Sequence, residues 1–324
     1  NILRGATMKI IMKGFPAPVT GHYTHWQEGM QKHGDHFEMI SMNTDPNTWI
    51  QSDCYLQQNM KKPKWYLPNR INKEGKHYDF ISSSKKPFIV YDASPFRRFG
   101  QYKKYGWWSY KTHEGEWNTD NVDMERWNKF ASANNVVFKD WHSPGNNILL
   151  MGQKSGDSAL SDLYDKGLSL EDWLLSTILE IRANTDRPIV YRAHPRSVKH
   201  TNIFINQIIR QYRISNLHIS PNTEKGANVG GAGLYTDLKN AYCVVTHSSN
   251  SGVEAAEQGI PVFALNAGSA VYPIAHHDLS KIENLNYNID LKEWQRKIAY
   301  TFWNTDEVKN GSCWSHFKPV YFNM

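Results

Sequence analysis

The chain has 324 residues, 40% hydrophobic, 13% aromatic and 21% charged, and Lys+Arg at 37 against Asp+Glu at 31 gives a net charge of +6. At roughly 100–200 residues per domain this length predicts two domains, and 12 Trp, 17 Tyr and 13 Phe exclude a disordered chain. A mean hydropathy of −0.63, with no apolar run near ~18 residues, excludes a transmembrane helix, while a pI of 9.0 admits a polyanionic partner without requiring one. No apolar stretch follows Arg4, so no secretory signal is expected; we take Met8 as the natural start and the cytoplasm as the location. Cys54, Cys243 and Cys313 are odd in number and far apart, which argues against a disulfide framework or a zinc site.

In chain order, Met8–Phe15 is a short apolar run halted by Pro16 and Pro18, and reads as a first buried strand. His25–His33 predicts a short helix, and Phe37–Met42 a second strand. Asp79–Ser82 and Pro87–Asp92 read as two more. Arg97–Trp117 is aromatic and basic with little periodicity, which predicts a long loop. Ser143-Pro144-Gly145 breaks any element, so the expected domains are 8–142 and 143–324. The second opens with the strand Asn147–Gln153 and continues with a helix over Leu170–Ala183, a strand over Pro188–Arg192 and a helix over Thr201–Tyr212. Strands at Asn216–Ser220, Ala241–Thr246 and Pro261–Leu265 follow, then a terminal helix over Trp294–Trp303. Strands alternating with helices predict an α/β fold of two Rossmann-like domains facing across a cleft.

Ligands of open parallel sheets sit at the carboxyl ends of the strands. In the second half those ends read Gln153-Lys154, Arg192-Ala193-His194-Pro195-Arg196 and His247-Ser248-Ser249-Asn250-Ser251-Gly252, the last running into a helix that carries Glu254. Hydroxyls, backbone N–H groups and arginines in this pattern suit a phosphate, with His194 donating to the leaving group. The same run also serves as an ordinary helix cap. Glu254 suits either a ribose hydroxyl or the helix dipole. Gly230-Gly231-Ala232-Gly233 lacks the spacing of a dinucleotide loop, so NAD is not expected.

The segment Thr246–Val262, reading THSSNSGVEAAEQGIPV, resembles the nucleotide-binding stretch of GT-B glycosyltransferases. It is most similar to the capsule polysaccharide (Kdo and sialyl type) transferases, with Gly268, Tyr272, Gln153 and the His194-Pro195 pair matching as well. The resemblance covers about Asn147–Tyr272. It implies a nucleotide-sugar transferase that needs no metal, with a UDP- or CMP-linked donor. Carried over, His194 is a phosphate ligand, Ser248 and Ser249 are phosphate donors and Glu254 is a ribose ligand.

Transfer also needs a base for the acceptor hydroxyl, and the first domain offers Asp92 after a strand, with His22 and His25 as rivals and Asp35 and Asp140 behind them. Arg97, Arg98, Lys103, Lys104 and Lys111 interleave with Phe96, Phe99, Tyr102, Tyr105, Trp107, Trp108 and Tyr110. Cations among aromatics suit a phosphodiester backbone and a flipped base, and equally a stacked sugar or a buried core. The expected acceptor is the hydroxyl of 5-hydroxymethylcytosine in bacteriophage DNA, taking glucose or arabinose; a capsule or lipopolysaccharide sugar is the alternative. An epimerase and a non-catalytic binding protein share the architecture.

Overall fold

Most strands of both halves are short apolar runs, as expected of strands buried on both faces by crossover helices. The computed structural model describes residues 7–13, 20–40, 51–58, 86, 88–108, 115–116, 118–223 and 232–321. The chain divides into two units. The first comprises Asn1–Ser94, Phe99–Asp123 and Arg296–Met324; the second comprises Pro95–Arg98 and Met124–Gln295.

The first unit holds β1 (Lys9–Lys13), β2 (His36–Ile40), β3 (Cys54–Gln58), β4 (Phe88–Ala93), β5 (Tyr102–Trp108), β6 (Gly115–Glu116) and β12 (Phe302–Asn304). Their order is β12-β5-β4-β3-β1-β2, with β6 also on β5. β1 to β4 pair in parallel, whereas β5 runs antiparallel to both β4 and β12. The core gathers Trp26, Phe37, Tyr91, Tyr105, Trp303, Trp314 and Phe317. Trp26, on the helix Thr20–Gln31, meets Tyr105 edge-on at 5.2 Å and Trp314 at 6.2 Å. Buried Asp35 accepts from the backbone N–H of Met8 at 2.8 Å, from Trp314 Nε1 at 2.6 Å and from Lys318 Nζ at 2.8 Å, so it ties the start of β1 to the helix Ser312–Tyr321.

The second unit is a five-stranded parallel sheet of β7 (Asn147–Met151), β8 (Ile189–Arg192), β9 (Leu217–Ile219), β10 (Ala241–Thr246) and β11 (Val262–Ala264), in the order β11-β10-β7-β8-β9. Within the unit this is the Rossmann order 3-2-1-4-5, read from β9 to β11. Ser169 starts the helix Leu170–Asn184 with a capping box, its hydroxyl accepting from Asp172 N–H while the Asp172 carboxylate accepts from Ser169 N–H. Leu174, Ile178 and Ile181 of that helix are fully buried against the sheet core.

The expected strands of the second half recur within two residues of their observed ends, as does its helix Leu170–Asn184, and the helix expected over Thr201–Tyr212 starts three residues earlier, at Val198. The expected strand Asp79–Ser82 lies outside the described residues. Three expectations are corrected. Arg97–Trp117 is not one long loop: Tyr102–Trp108 forms β5. Adjacent Lys103 and Lys104 and the aromatics on either side hide its alternation, although Tyr102 and Tyr105 are buried. Trp294–Trp303 is not one helix: the helix Lys292–Ile298 ends and β12 follows, joining the first unit. The division also differs from 8–142 and 143–324. Ser143–Gly145 lies inside the second unit, where a Cβ on Gly145 would lie 2.1 Å from the Asn240 carbonyl oxygen. The preceding helix Glu125–Asn134 packs Trp127 and Phe130 against Phe96 and Trp294 of the same unit. No helix among the described residues is long and apolar enough to cross a membrane.

Candidate functional site

In the second unit the chain leaves β7 toward β8 and β9, then returns to the other side of β7 as β10. The crevice beyond the carboxyl ends of β7 and β10 is therefore the topological switch point where such sheets bind ligands. Two expected site residues meet there: Gln153, two residues past β7, donates from Nε2 to Ser248 Oγ, two residues past β10, at 2.8 Å. Between them the fold is tight. A Cβ on Gly152 would lie 2.5 Å from the Tyr191 hydroxyl, so only glycine lets β7 turn toward the site against β8.

His247 is 1% exposed and lies behind Ser248. Its Nδ1 is 3.1 Å from Ser248 Oγ, and its Nε2 is 3.2 Å from the Asp162 carboxylate on the short helix Ser161–Asp165. Asp162 carries no motif and was not expected. Burial raises its pKa, but bonds from His247, the Leu163 N–H and Asn266 outweigh this, so the net shift is downward and it is a carboxylate. Ser249 N–H donates to Thr246 Oγ1 at 3.0 Å, and Ser251 N–H to Ser249 Oγ at 3.3 Å. Asn250 precedes the helix Ser251–Glu257 without a side-chain capping bond. Buried Gly252 packs beneath, where a Cβ would stand 3.0 Å from Val271 Cγ1.

At the end of β8 the four expected residues, Arg192, His194, Pro195 and Arg196, separate in role. Arg192 is buried and turned inward: its Nη1 meets Asp237 Oδ2 at 2.7 Å and the Asn222 carbonyl at 3.1 Å, and Asp237 also accepts from Ser220 and Asn222. Its charge is thus neutralised by a carboxylate on the helix Ala232–Leu238. His194 stands at the rim, its Nδ1 accepting from Arg196 N–H at 3.1 Å, which leaves the ring proton on Nε2 as a donor. Burial first, then the positive charges of Arg97, Arg196 and Lys154, together lower its pKa to about 4 against the opposing pull of Asp157. At neutral pH it donates a hydrogen bond and carries no charge. Pro195 and Lys154 are half-buried and Arg196 is exposed.

Glu254 is 4% exposed, and its Oε1 has no hydrogen-bond partner in the described structure. Burial raises its pKa to about 7, against the lowering charges of Arg98, Arg97 and Arg192 and with a further push from Glu257. Arg98 is held bidentate by Glu257, Nη1 to Oε2 at 2.6 Å and Nη2 to Oε1 at 2.5 Å. Arg97 and Arg98, expected with the acceptor, therefore belong to the second unit, where Arg97 acts electrostatically on both His194 and Glu254.

The remaining candidates lie in the first unit. Asp92 is exposed near the carboxyl end of β4, its Oδ1 accepting from Ala93 N–H at 2.7 Å. It pairs in register with Lys104, whose ammonium burial pushes down in pKa and Asp92 holds up. Lys103 Nζ reaches the Gly100 carbonyl at 3.1 Å. Trp107 and Trp108 are on β5 opposite Ile89 and Phe88. His22 falls on the helix Thr20–Gln31 with its side chain outside the described residues, as are Lys111, Tyr110, Gly230 and Gly231. Asp35 is committed to Trp314 and Lys318. Among the described residues no three His, Cys, Asp or Glu side chains converge as a metal site would require.

No protein-family model and no curated protein matches the chain. Among solved structures it is similar to the β-Kdo 2,7 transferase of Thermosulfurimonas dismutans KpsC, at 13% identity over 98% of this chain and 100% of that one, with a TM-score of 0.50. The β-Kdo 2,4 transferase of the same KpsC gives 11% identity over 91% and 90%, with a TM-score of 0.48. A glycosyltransferase from Rickettsia africae ESF-5 gives 12% over 98% and 98%, with a TM-score of 0.37. The first of these likenesses is one of fold: an α/β chain of two Rossmann-like units, the GT-B class.

Proposed function

We propose that this chain is a glycosyltransferase that binds a UDP- or CMP-linked sugar in its second unit and transfers the sugar to a carbohydrate hydroxyl. The observation that carries this reading is the Gln153–Ser248 hydrogen bond across the switch point, with His194 and the unpartnered Glu254 on the flanking elements. Ser248, Ser249 and His194 Nε2 donate to the phosphate, and Lys154, Arg97 and Arg196 neutralise it without a metal. Glu254 accepts from the ribose hydroxyls, which supplies the partner its buried oxygen lacks. In the reaction the acceptor oxygen bonds to the anomeric carbon as the bond from that carbon to the phosphate oxygen breaks. The acceptor proton passes to a base, for which Asp92 leads over His22 and His25 because it is an exposed carboxylate near a strand's carboxyl end.

The carbohydrate acceptor is supported by the similarity in fold to a β-Kdo 2,7 transferase. It is also supported by the loss of Phe96, Tyr102 and Tyr105 to buried packing and of Arg98 to Glu257, which thins the basic aromatic set a DNA strand would need. A second reading, 5-hydroxymethylcytosine in phage DNA inside the host cytoplasm, is favoured by Lys103, Lys104, Trp107 and Trp108 on one strand and by the net charge of +6. The test is incubation with a panel of UDP- and CMP-sugars and either capsular oligosaccharide or hydroxymethylcytosine DNA, followed by mass analysis. A sugar increment on the oligosaccharide is expected, and one on the modified nucleoside would install the second reading. Donor conversion without acceptor would indicate an epimerase. No donor consumption at all would overturn the proposal in favour of a binding protein.

A further inference from the structure

The segment Pro95–Arg98 belongs to the second unit, although the chain on both sides of it, up to Ser94 and from Phe99, belongs to the first. Its last three residues meet three different fates. Phe96 is fully buried, its ring 5.0 Å from Phe130, 5.8 Å from Trp127 and 6.4 Å from Trp294. Arg98 is gripped by Glu257, the last residue of the helix Ser251–Glu257, through two short bonds that use the fork of the guanidinium. Arg97 lies between these anchors, half-buried and without a hydrogen bond among the described residues.

The Glu257 end of the grip is firm. Its side chain is 7% exposed, and its carbonyl accepts from Lys139 N–H at 3.1 Å. Two residues on, Gly259 turns the chain at a φ of +79°, where a Cβ would strike the Asp140 carbonyl oxygen at 2.4 Å. A guanidinium also suits the carboxyl end of a helix, where the peptide dipoles present negative charge. With Phe96 and Arg98 both held, the backbone of Arg97 has little freedom left, and its charge is delivered to one place. It acts on His194, past β8, and on Glu254, one turn before Glu257. These are the residues read above as phosphate and ribose ligands. An arginine held in advance loses less freedom when an anion arrives than one on a loose loop.

We propose that Glu257 is a positioning residue of the donor site: by gripping Arg98 it completes, with Phe96, a two-point strap that holds Arg97 ready as a ligand for the phosphate. The proposal rests on the reading of this crevice as a nucleotide-sugar site. Glu257 does not touch the donor, because its carboxylate is committed to Arg98.

The test uses His194 as a reporter of where the Arg97 charge stands. In the free protein Arg97, Arg196 and Lys154 lower the pKa of this ring and Asp157 raises it. Its titration, followed by NMR, is compared in the unmodified protein, Arg97→Gln, Glu257→Gln and Arg98→Lys. Arg97→Gln removes one lowering charge, so the midpoint should rise from about 4. Glu257→Gln should raise it as well. That sign is diagnostic, because loss of a negative charge, acting directly, would lower the midpoint. Arg98→Lys keeps the charge count but replaces the fork with a single ammonium, so a rise there reports displacement alone. A midpoint that stays or falls in Glu257→Gln, or in Arg98→Lys should Glu257→Gln fail to fold, would overturn the positioning role. No rise in Arg97→Gln would overturn the placement of Arg97. Calorimetry with UDP and with CMP then tests the ligand role: Arg97→Gln should weaken binding about tenfold, and Glu257→Gln should weaken it in the same direction. Unchanged affinity in Arg97→Gln would overturn that role. If neither nucleotide binds the unmodified protein, the nucleotide-sugar reading falls and the ligand role with it, while the His194 midpoints in the free protein still decide whether Glu257 holds Arg97.

Discussion

The charge of Arg97 acts on both Glu254 and His194, and burial moves both toward neutrality by opposite routes. The carboxyl of Glu254 is raised from 4.5 to about 7. Between those values the native state holds a proton that the unfolded chain has released, so stability falls as pH rises through the window. The penalty is complete at pH 8, of order 3 kcal/mol. Glu254→Gln should therefore raise the melting temperature at pH 8 and leave it nearly unchanged at pH 4, while weakening nucleotide binding. A melting curve unaffected at pH 8 would show that the carboxyl already has a partner. His194 runs the other way, lowered from 6.5 to about 4. The native state refuses a proton the unfolded chain accepts, so this contribution is whole above pH 6.5 and is lost as pH falls toward 4. Its ring signals should titrate near pH 4 in the free protein and move upward on addition of inorganic phosphate, whose charge offsets Arg97, Arg196 and Lys154. A midpoint unmoved by phosphate would separate His194 from the anion site.

At the scale of elements, glycines set how closely backbones approach. Gly29 lies on the helix Thr20–Gln31, and a Cβ there would stand 2.0 Å from the Val308 carbonyl oxygen of the helix Thr305–Lys309. Gly29→Ala should cost about 1–3 kcal/mol by overpacking, read as a lower denaturant midpoint with an unchanged slope, although alanine is the better helix former. A neutral result would mean that the two helices separate freely. The second unit's central strands were legible because they are nearly unbroken apolar runs, and the positions that follow them include Gln153, His194 and Ser248. Neither β5 nor Asp162 was legible, for different reasons. β5 lies between antiparallel neighbours at one side of the sheet, where half-buried Lys103 and Lys104 interrupt the pattern that a central strand would show. Asp162 reaches His247 from 85 residues away through a short helix with no motif. Arg192 was legible as a strand-end cation, but its partner Asp237 is 45 residues off, and only the fold shows the charge turned inward.

Across the whole molecule, the first unit is discontinuous in sequence. Its sheet takes β12 from the far end of the chain, and Trp303, Trp314 and Phe317 from the same end complete its core. Losing even one such aromatic costs about 3–5 kcal/mol, against a total stability of about 5–15 kcal/mol for a typical domain. A chain ending at Gln295 should accordingly lose the first unit's protease resistance and its share of the near-ultraviolet dichroism. The second unit should still protect its strands from hydrogen exchange. Retention of both signals would show that β12 and the closing helices are dispensable.

The placement of β12 also bears on synthesis. β5 emerges from the ribosome early, with β6 close behind it, but its Tyr102–Lys104 stretch must wait for Phe302–Asn304 to pair. At typical elongation rates of about 5–20 residues per second, the nearly 200 intervening residues take roughly 10–40 s. In that interval the second unit can form around its own sheet, while this stretch of β5 shows an open edge of unpaired backbone groups to the surroundings. The half of the protein translated first is thus the half that finishes last, and its nascent edge is the natural point for a chaperone to hold.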